Sequence, residues 1–370
     1  MKKTYFIKTW GCQMNQADSE RLAGYYESQG FIQAKKINEA DLLILVTCSV
    51  RQSAENRVGG LLQKFKKEFN SPKNKKPKII LTGCMTHYGE QKLKKKFPLL
   101  DEILAIDDLK LQWPYLRKHQ KQALVPISTG CNSFCTYCIV PFSRGREKSR
   151  PQAEIIEEIK KLTEKGYEEF TLLGQNVNSY GLEKIGMHAR KILDTNKELP
   201  TPQSQYKSFV GLPPFVKLLD KICAIEKVKK VNFISSNPWD FYNELIDCLV
   251  RNPKINREIH LAMQSGDDEI LQKMNRGYTA KQYLSLINQI RQKVKGASFT
   301  TDIIVGFPTE TEEQFQNTVK LCQKIKFNLA YINRYSPRPG TVSSKIYKDD
   351  VHDLEKKRRW KILNDLINKN

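Results

Sequence analysis

The sequence predicts an α/β protein of two units: an N-terminal open parallel-sheet α/β domain over residues 1–120, then a partial (βα)6 TIM-like barrel over 121–350, with a C-terminal helix over 351–370. Three observations carry this. Short apolar runs bounded by turn residues alternate with amphipathic stretches along the chain, which is the pattern of βα repeats. Cys12, Cys48 and Cys84 follow three such runs at intervals of 36 residues, close to one βα unit. Only the second unit carries a long polar excursion, over 181–212, with Pro200, Pro202 and Gly211, which reads as a loop between βα units.

In the first unit, residues 5–9 form a β-rich run that leads into Trp10-Gly11-Cys12, and a helix is expected over 18–29, stopped at Gly30. Residues 42–47 are continuously apolar, as in a parallel strand buried on both faces, and are followed by Cys48 and a helix over 53–69. Residues 78–82 repeat the pattern and lead into Gly83-Cys84 and a further helical segment. In an open parallel sheet the carboxyl ends of all strands line one edge, where such folds bind ligands. Three cysteines distant in sequence can therefore meet at that edge. Free cysteines that merely fill a core have no reason to stand beside turn residues at three strand ends.

The second unit starts with a strand over 124–128 and the loop Cys131-Asn-Ser-Phe-Cys135-Thr-Tyr-Cys138. Helices over 152–165, 214–225, 240–251, 268–274, 280–294 and 310–325 then alternate with strands over 170–173, 230–235, 258–263, 299–305 and 329–335. Six strands in βα succession argue for a partial barrel, whose working face lies at the strand carboxyl ends. The cysteine loop is on that face. Four-thiolate zinc sites pair two C-x2-C hooks, whereas this loop offers three ligands, and the five histidines are scattered. Three thiolates suit a 4Fe-4S cluster with one iron left open. Gly174, Gln175 and Asn176 end the second barrel strand and Gln264 and Ser265 the fourth, so they are either cofactor-facing groups at the same mouth or polar turn residues. Tyr137, between the last two cysteines of the loop, suits a ligand contact or a core aromatic equally. Cys223, Cys248 and Cys322 fall on apolar helix faces and read as core.

The 370 residues suffice for two or three domains with cores of their own, and 28% charged with 39% hydrophobic residues is a folded composition rather than a disordered one. No apolar run approaches the ~18 residues of a membrane span, and Lys8 cuts the apolar start too short for a signal peptide, so a cytoplasmic address is expected. Nine cysteines without an export signal point to metal or cluster binding rather than disulfides. The net charge of +22 favours a polyanionic partner, nucleic acid first, and residues 1–125 hold half of the excess in a third of the chain. The runs Lys64-Lys66-Lys67, Lys73-Lys75-Lys76-Lys78 and Lys92-Lys94-Lys95-Lys96 suit phosphate contact and a solvated face equally well. Lys356 to Lys361 reads as a solvated helix face.

Taken together, Gly11 to Asn15 with Asp18-Ser19-Glu20, Phe134 to Pro141 with Arg144-Gly145 and Ser149-Arg150-Pro151, Leu172 to Tyr180, Gln264-Ser265-Gly266, Asp302 to Pro308 and Tyr335 to Thr341 resemble the radical SAM methylthiotransferases. The likeness is greatest to the tRNA branch that acts on N(6)-isopentenyladenosine. The resemblance implies that Cys131, Cys135 and Cys138 hold the 4Fe-4S cluster that cleaves S-adenosyl-L-methionine, and that Cys12, Cys48 and Cys84 hold an auxiliary 4Fe-4S cluster. It also implies a tRNA substrate, an electron donor such as flavodoxin or ferredoxin, and a monomer. Radical chemistry suits the target, because the purine C–H at carbon 2 offers general acid–base catalysis little to act on. Within the family, Gln13-Met14-Asn15 looks like the isopentenyl branch; threonylcarbamoyl-adenosine in tRNA and a ribosomal protein are the alternative substrates. A cluster-stabilised RNA-binding protein is the non-enzymatic alternative. Two departures stand out. Ala262 replaces the family's usual proline, and the family's small C-terminal RNA-binding β-barrel is not found after Asn370, so either the chain is truncated or the basic first domain holds tRNA without it.

If the first domain contacts phosphates, replacing Lys73, Lys75, Lys76 and Lys78 by Glu weakens tRNA binding. It also makes the slope of log affinity against log salt shallower, by up to ~0.7 to 0.9 for each phosphate no longer neutralised. Titrations at several salt concentrations decide the point; an unchanged slope and affinity would make these lysines a solvated face only.

Overall fold

Strands buried on both faces organise the first sheet. The computed structural model describes residues 2–50, 52–68, 76–105, 115–117, 119–185 and 211–369. Its first unit comprises Met1–Gln120 with Ile139–Gly145, and its second Lys121–Cys138 with Arg146–Asn370. The first contains β1 (Thr4–Trp10), α1 (Gln13–Ser28), β2 (Ile32–Gln33), β3 (Leu42–Thr47), α2 (Gln52–Glu68), β4 (Lys78–Gly83), α3 (Glu90–Lys96) and β5 (Glu102–Leu104). These strands are parallel, in the order β2-β1-β3-β4-β5. Because successive side chains of a strand point to opposite faces, Leu43 and Leu45 pack with Val58, Leu62 and Phe65 of α2. Leu42, Ile44 and Val46 pack with Leu22, Ala23 and Tyr26 of α1 on the other face.

The second unit opens with β6 (Gln122–Pro126) and β7 (Ser128–Thr129); after them α4 (Val140–Ser143) folds with the first unit. There follow β8 (Lys148–Ser149), α5 (Gln152–Glu164), β9 (Glu169–Leu173), α6 (Pro214–Cys223), β10 (Lys230–Phe233), α7 (Asn243–Arg251), β11 (Glu258–His260), α8 (Asp268–Lys273), α9 (Ala280–Lys293), β12 (Ser298–Val305), α10 (Glu312–Ile325), β13 (Leu329–Arg334), α11 (Val342–Ile346) and α12 (Asp353–Asn368). Two parallel trios, β10-β9-β6 and β11-β12-β13, are joined by the parallel bridges Val231↔Ile255 and Ser236↔Leu261. The result is the expected succession of six parallel strands, with helices α5, α6, α7, α9 and α10 burying apolar faces against it.

The differences from the sequence reading have local causes. α1 begins five residues before the expected start, because Cys12 stands at its N-cap and the Asn15 side chain accepts from the Cys12 N–H (3.4 Å). The helix then buries Asp18, Glu20 and Arg21, which hides its register from hydrophobic periodicity. β11 stops at His260, short of 263, as the chain turns into the left-handed conformation at Gln264 (φ 67°). Ala262 lies in this segment. Its N–H donates to the Ser236 carbonyl (3.3 Å), a bond that proline could not make. Residue 128 belongs not to the first barrel strand but to the antiparallel pair β7-β8.

The helix expected over 351–370 packs on β13 inside the second unit, with Leu363 and Ile367 buried and Trp360 Nε1 donating to the Ile332 carbonyl (2.9 Å). Its basic run is not a uniformly solvated face. Lys356 is buried against Asp349 (2.5 Å), and Arg359 is buried against Glu310 (2.8 Å). Lys73, Lys75, His188 and most of the 181–212 excursion lie outside the described residues. Lys76 pairs with Asp101 (3.3 Å) and Lys78 with Glu102 (2.6 Å), both at the surface. Among the described residues, no helix is long and apolar enough to cross a membrane.

Gly83 ends β4 at φ 96°, and a Cβ there would lie 2.3 Å from the Thr47 carbonyl oxygen. Gly83→Ala therefore combines a left-handed backbone with a clash against backbone that cannot swing away. It should destabilise the first unit by more than ~2 kcal/mol, read as a shifted denaturation midpoint; a change below ~0.5 kcal/mol would refute this account.

Candidate functional site

Register brings the first cysteine triad together. Trp10 pairs with Thr47 and Thr47 with Gly83, so three strand ends lie side by side. Cys48 and Cys84 come one residue later on their strands and Cys12 two, and the Cys48 N–H extends the ladder to the Trp10 carbonyl (2.9 Å). Neighbouring strands are about 4.8 Å apart, which makes this edge narrow. Each sulfur has a polar partner: Cys12 Sγ lies 3.6 Å from Asn15 Oδ1, the Val50 N–H donates to Cys48 Sγ (3.3 Å), and Arg144 Nε donates to Cys84 Sγ (3.2 Å). Cys48 and Cys84 are buried. Cys12 keeps an exposed surface, yet packed atoms around its sulfur raise the thiol pKa, with Arg144 acting against that and Cys84 adding to it. Among the described residues, buried polar atoms beside the triad without a hydrogen-bond partner include Asn15 Nδ2, Ser49 Oγ, Thr82 Oγ1 and His87 Nε2.

The second triad is a loop shaped by left-handed turns at Gly130 (φ 75°) and Phe134 (φ 48°). Thr136 anchors it, its N–H donating to the Met274 carbonyl (3.1 Å) and its hydroxyl to the Lys273 carbonyl (2.8 Å). Cys131 and Cys135 are buried and Cys138 half-buried. Burial pushes the Cys131 thiol up to about 12, against the hydrogen bonds of Ser133. Arg276 donates to Cys135 Sγ (3.4 Å) and to the Ala262 carbonyl (2.8 Å), with its guanidinium 4.4 Å from the Trp239 ring centroid. Thus the residue in the proline position serves the loop through its backbone carbonyl. Tyr137 is half-buried and packs against core side chains. Burial raises its hydroxyl pKa, with Cys135 adding to the effect and Arg276 opposing it.

The remaining predicted residues gather at the barrel strand ends. Gly174 is required by close approach, since a Cβ would lie 2.6 Å from Ser128 Oγ. Asn176 Nδ2 donates to Asp240 (2.5 Å). Ser265 is engaged internally, accepting from the Asp267 N–H (3.2 Å) and lying 3.4 Å from the Thr318 hydroxyl. By contrast Ser128 Oγ, Gln175 Oε1, Asn176 Oδ1, Ser236 Oγ and Gln264 Oε1 are buried without hydrogen-bond partners. Unpaired buried polar atoms cost free energy, and here they collect at the mouth where a polar ligand would satisfy them. Ser235 and Gln264 hold left-handed φ of 67° beside it, strain of the kind that persists at functional sites.

Among the described residues, no three His, Cys, Asp or Glu side chains close on a point suited to a single metal ion. Thiol-only donor sets at two strand edges, each beside partnerless polar atoms, instead fit iron–sulfur clusters, whose cysteines ligate different irons. Sequence reading missed Arg276, Asp240 and Glu147 and left Arg144 without a role. The signals were an arginine and an acid within nine residues of the last cysteine of the loop, and an arginine shortly after α8.

Residues 125–322 match the radical SAM superfamily, and residues 4–105 match a group described as uncharacterized protein family UPF0004. A tRNA-2-methylthio-N(6)-dimethylallyladenosine synthase of Thermotoga petrophila is 39% identical over 98% of this chain and 81% of its own length. One from Caldicellulosiruptor saccharolyticus is 40% identical, over 99% and 78%. Among solved structures, the radical S-adenosylmethionine methyltransferase TsrM from Kitasatospora setae superposes with a TM-score of 0.59 at 12% identity, covering 93% of this chain and 77% of that one. The cobalamin-dependent radical enzyme OxsB gives 0.52 at 10% identity, covering 98% and 56%. Both likenesses concern the fold.

Glu147 provides a pH test of the second unit. It is buried, receives a hydrogen bond from the Ser179 hydroxyl, and has its pKa raised to about 8, by burial first and then by Asp240 and Glu183. Unfolded, it ionises near 4.5, so the folded state binds the extra proton between these values and loses stability as pH rises through that window. Glu147→Gln should therefore gain on the parent from pH 5 to 9, by up to about 5 kcal/mol at ~1.4 kcal/mol per unit. Parallel melting profiles across this range would show that the carboxyl is not held neutral.

Proposed function

Because the chain belongs to the radical SAM methylthiotransferase family, an enzyme family that works with S-adenosyl-L-methionine and 4Fe-4S clusters, we propose that it methylthiolates carbon 2 of N(6)-isopentenyladenosine next to the anticodon of tRNA. The observation that carries this reading is the presence of two separate cysteine triads at strand carboxyl edges, each with hydrogen-bonded sulfurs and partnerless buried polar atoms nearby. A structural centre gains from a fourth protein ligand, whereas three thiolates on a four-iron cluster would leave one iron to an exogenous ligand. When bound, the cofactors supply the electron, the 5′-deoxyadenosyl radical, the sulfur and the methyl group.

The chain's own residues bind and orient. Cys131, Cys135 and Cys138 hold the cluster that meets S-adenosyl-L-methionine, on a loop fixed by Thr136 and braced by Arg276. Gln175, Asn176 and Gln264 offer their unpaired side-chain oxygens to the polar end of that cofactor. Gly174 lets the strand end pass close to Ser128, Ser265 holds the neighbouring turn, and Tyr137 screens the loop from water. Cys12, Cys48 and Cys84 hold the auxiliary cluster. The basic surface of the first unit favours tRNA through its phosphates. The protein acts in the cytoplasm, as a monomer, and takes electrons from a donor such as flavodoxin or ferredoxin.

Anaerobic incubation of the reconstituted protein with S-adenosyl-L-methionine, a reductant and isopentenylated tRNA should yield the methylthio nucleoside by mass spectrometry. Replacing Cys131, Cys135 and Cys138 with Ala should abolish 5′-deoxyadenosine formation. Replacing Cys12, Cys48 and Cys84 should leave some cleavage and no methylthio product; methylthio product from this second variant would overturn the division of roles.

A further inference from the structure

Arg144 is almost fully buried within the first unit, a costly place for a guanidinium that is cationic at any working pH. Its two prongs do different things. One terminal nitrogen donates to Asp18 Oδ2 (2.8 Å), itself buried on α1, while Nε donates to Cys84 Sγ (3.2 Å). Asp18 thus fixes the plane of the fork and leaves the Nε edge facing sulfur. The local chain is built for this. Pro141 sits in the first turn of α4, the Arg144 N–H closes that turn on the Val140 carbonyl (2.8 Å), and Gly145 at φ 73° turns the chain away immediately afterwards. A residue with a Cβ resists that conformation, which gives the Arg144-Gly145 pair a joint physical meaning.

We propose that Arg144 is the positioning residue of the auxiliary centre: anchored by Asp18, it donates a charge-assisted hydrogen bond to the Cys84 thiolate and favours the more negative, reduced state of the cluster held there. The inference rests on the reading that Cys12, Cys48 and Cys84 hold a cluster. Three thiolates and a sulfur ligand concentrate negative charge, reduction adds more, and a cationic donor to a ligating sulfur offsets it. The effect is confined to this centre, because the other cysteine loop has its own arginine, Arg276, which donates to Cys135.

The test uses the 370-residue chain with Cys131, Cys135 and Cys138 replaced by Ala, reconstituted anaerobically, so that only the auxiliary centre is loaded. Arg144→Gln and Arg144→Lys are compared with this parent by iron and sulfide content and by an EPR-monitored redox titration. The midpoint should move to more negative potential in Arg144→Gln, with Arg144→Lys in between, since lysine keeps the charge near Asp18 but lacks the second prong. Equal midpoints at equal iron content overturn the proposal. If the variants fail to load, the same substitutions are made in the chain with all cysteines present. Normal melting and normal loading of the Cys131 loop there support a role local to the auxiliary site, whereas loss of both reduces Arg144 to a structural ion pair and sinks the idea. A parent that itself binds no iron removes the assignment of Cys12, Cys48 and Cys84, and this inference with it.

Discussion

The pairing of Trp10 with Thr47 and of Thr47 with Gly83 decides where the first unit's three strand-end cysteines stand. A one-residue slip between parallel strands would turn every side chain of a strand to the opposite face, and β3 tolerates none because both of its faces are buried. Leu43 and Leu45 have partners on α2, and Leu42, Ile44 and Val46 on α1. The register that satisfies this packing also sets Cys12, Cys48 and Cys84 beyond three adjacent strand ends. Core packing and cysteine placement are one constraint. The strand order β2-β1-β3-β4-β5 adds to it: in doubly wound sheets of this order the crevice opens where the order reverses, between β1 and β3, the strands that end in Cys12 and Cys48.

Both triads place thiols in surroundings that disfavour a bare thiolate. Cys131 is pushed up to about 12 and Cys12 is raised, burial leading in each case. A metal ligand must be deprotonated, so loading couples to proton release and to the cations and donors around the sulfur. An arginine stands at each triad, Arg144 donating to Cys84 and Arg276 to Cys135. Each is held by a second bond, to Asp18 or to the Ala262 carbonyl, so its direction is set before any ligand arrives.

Ala262 supports the same arrangement through its backbone alone. Its side chain is not used: the carbonyl braces Arg276 and the N–H reaches Ser236. The basic run of α12 teaches the converse. Charge in a sequence is not charge on a surface, since Lys356 and Arg359 are paired with Asp349 and Glu310 inside the second unit.

Hydrophobic runs and cysteine spacing were enough, from sequence alone, to identify two α/β units, six barrel strands and the strand-end position of Cys12, Cys48 and Cys84, because strand burial and βα periodicity are local properties that a linear pattern records. The family likeness rested on contiguous motifs for the same reason. The early start of α1, the short β11, the burial of Arg144 and Arg276 and the raised Glu147 were decided only in three dimensions. Asp18 and Arg144 stand 126 positions apart and Cys135 and Arg276 stand 141 apart. A hydrogen bond between such residues leaves no period in the sequence; it exists only once the sheet and the loop have brought their side chains within about 3 Å.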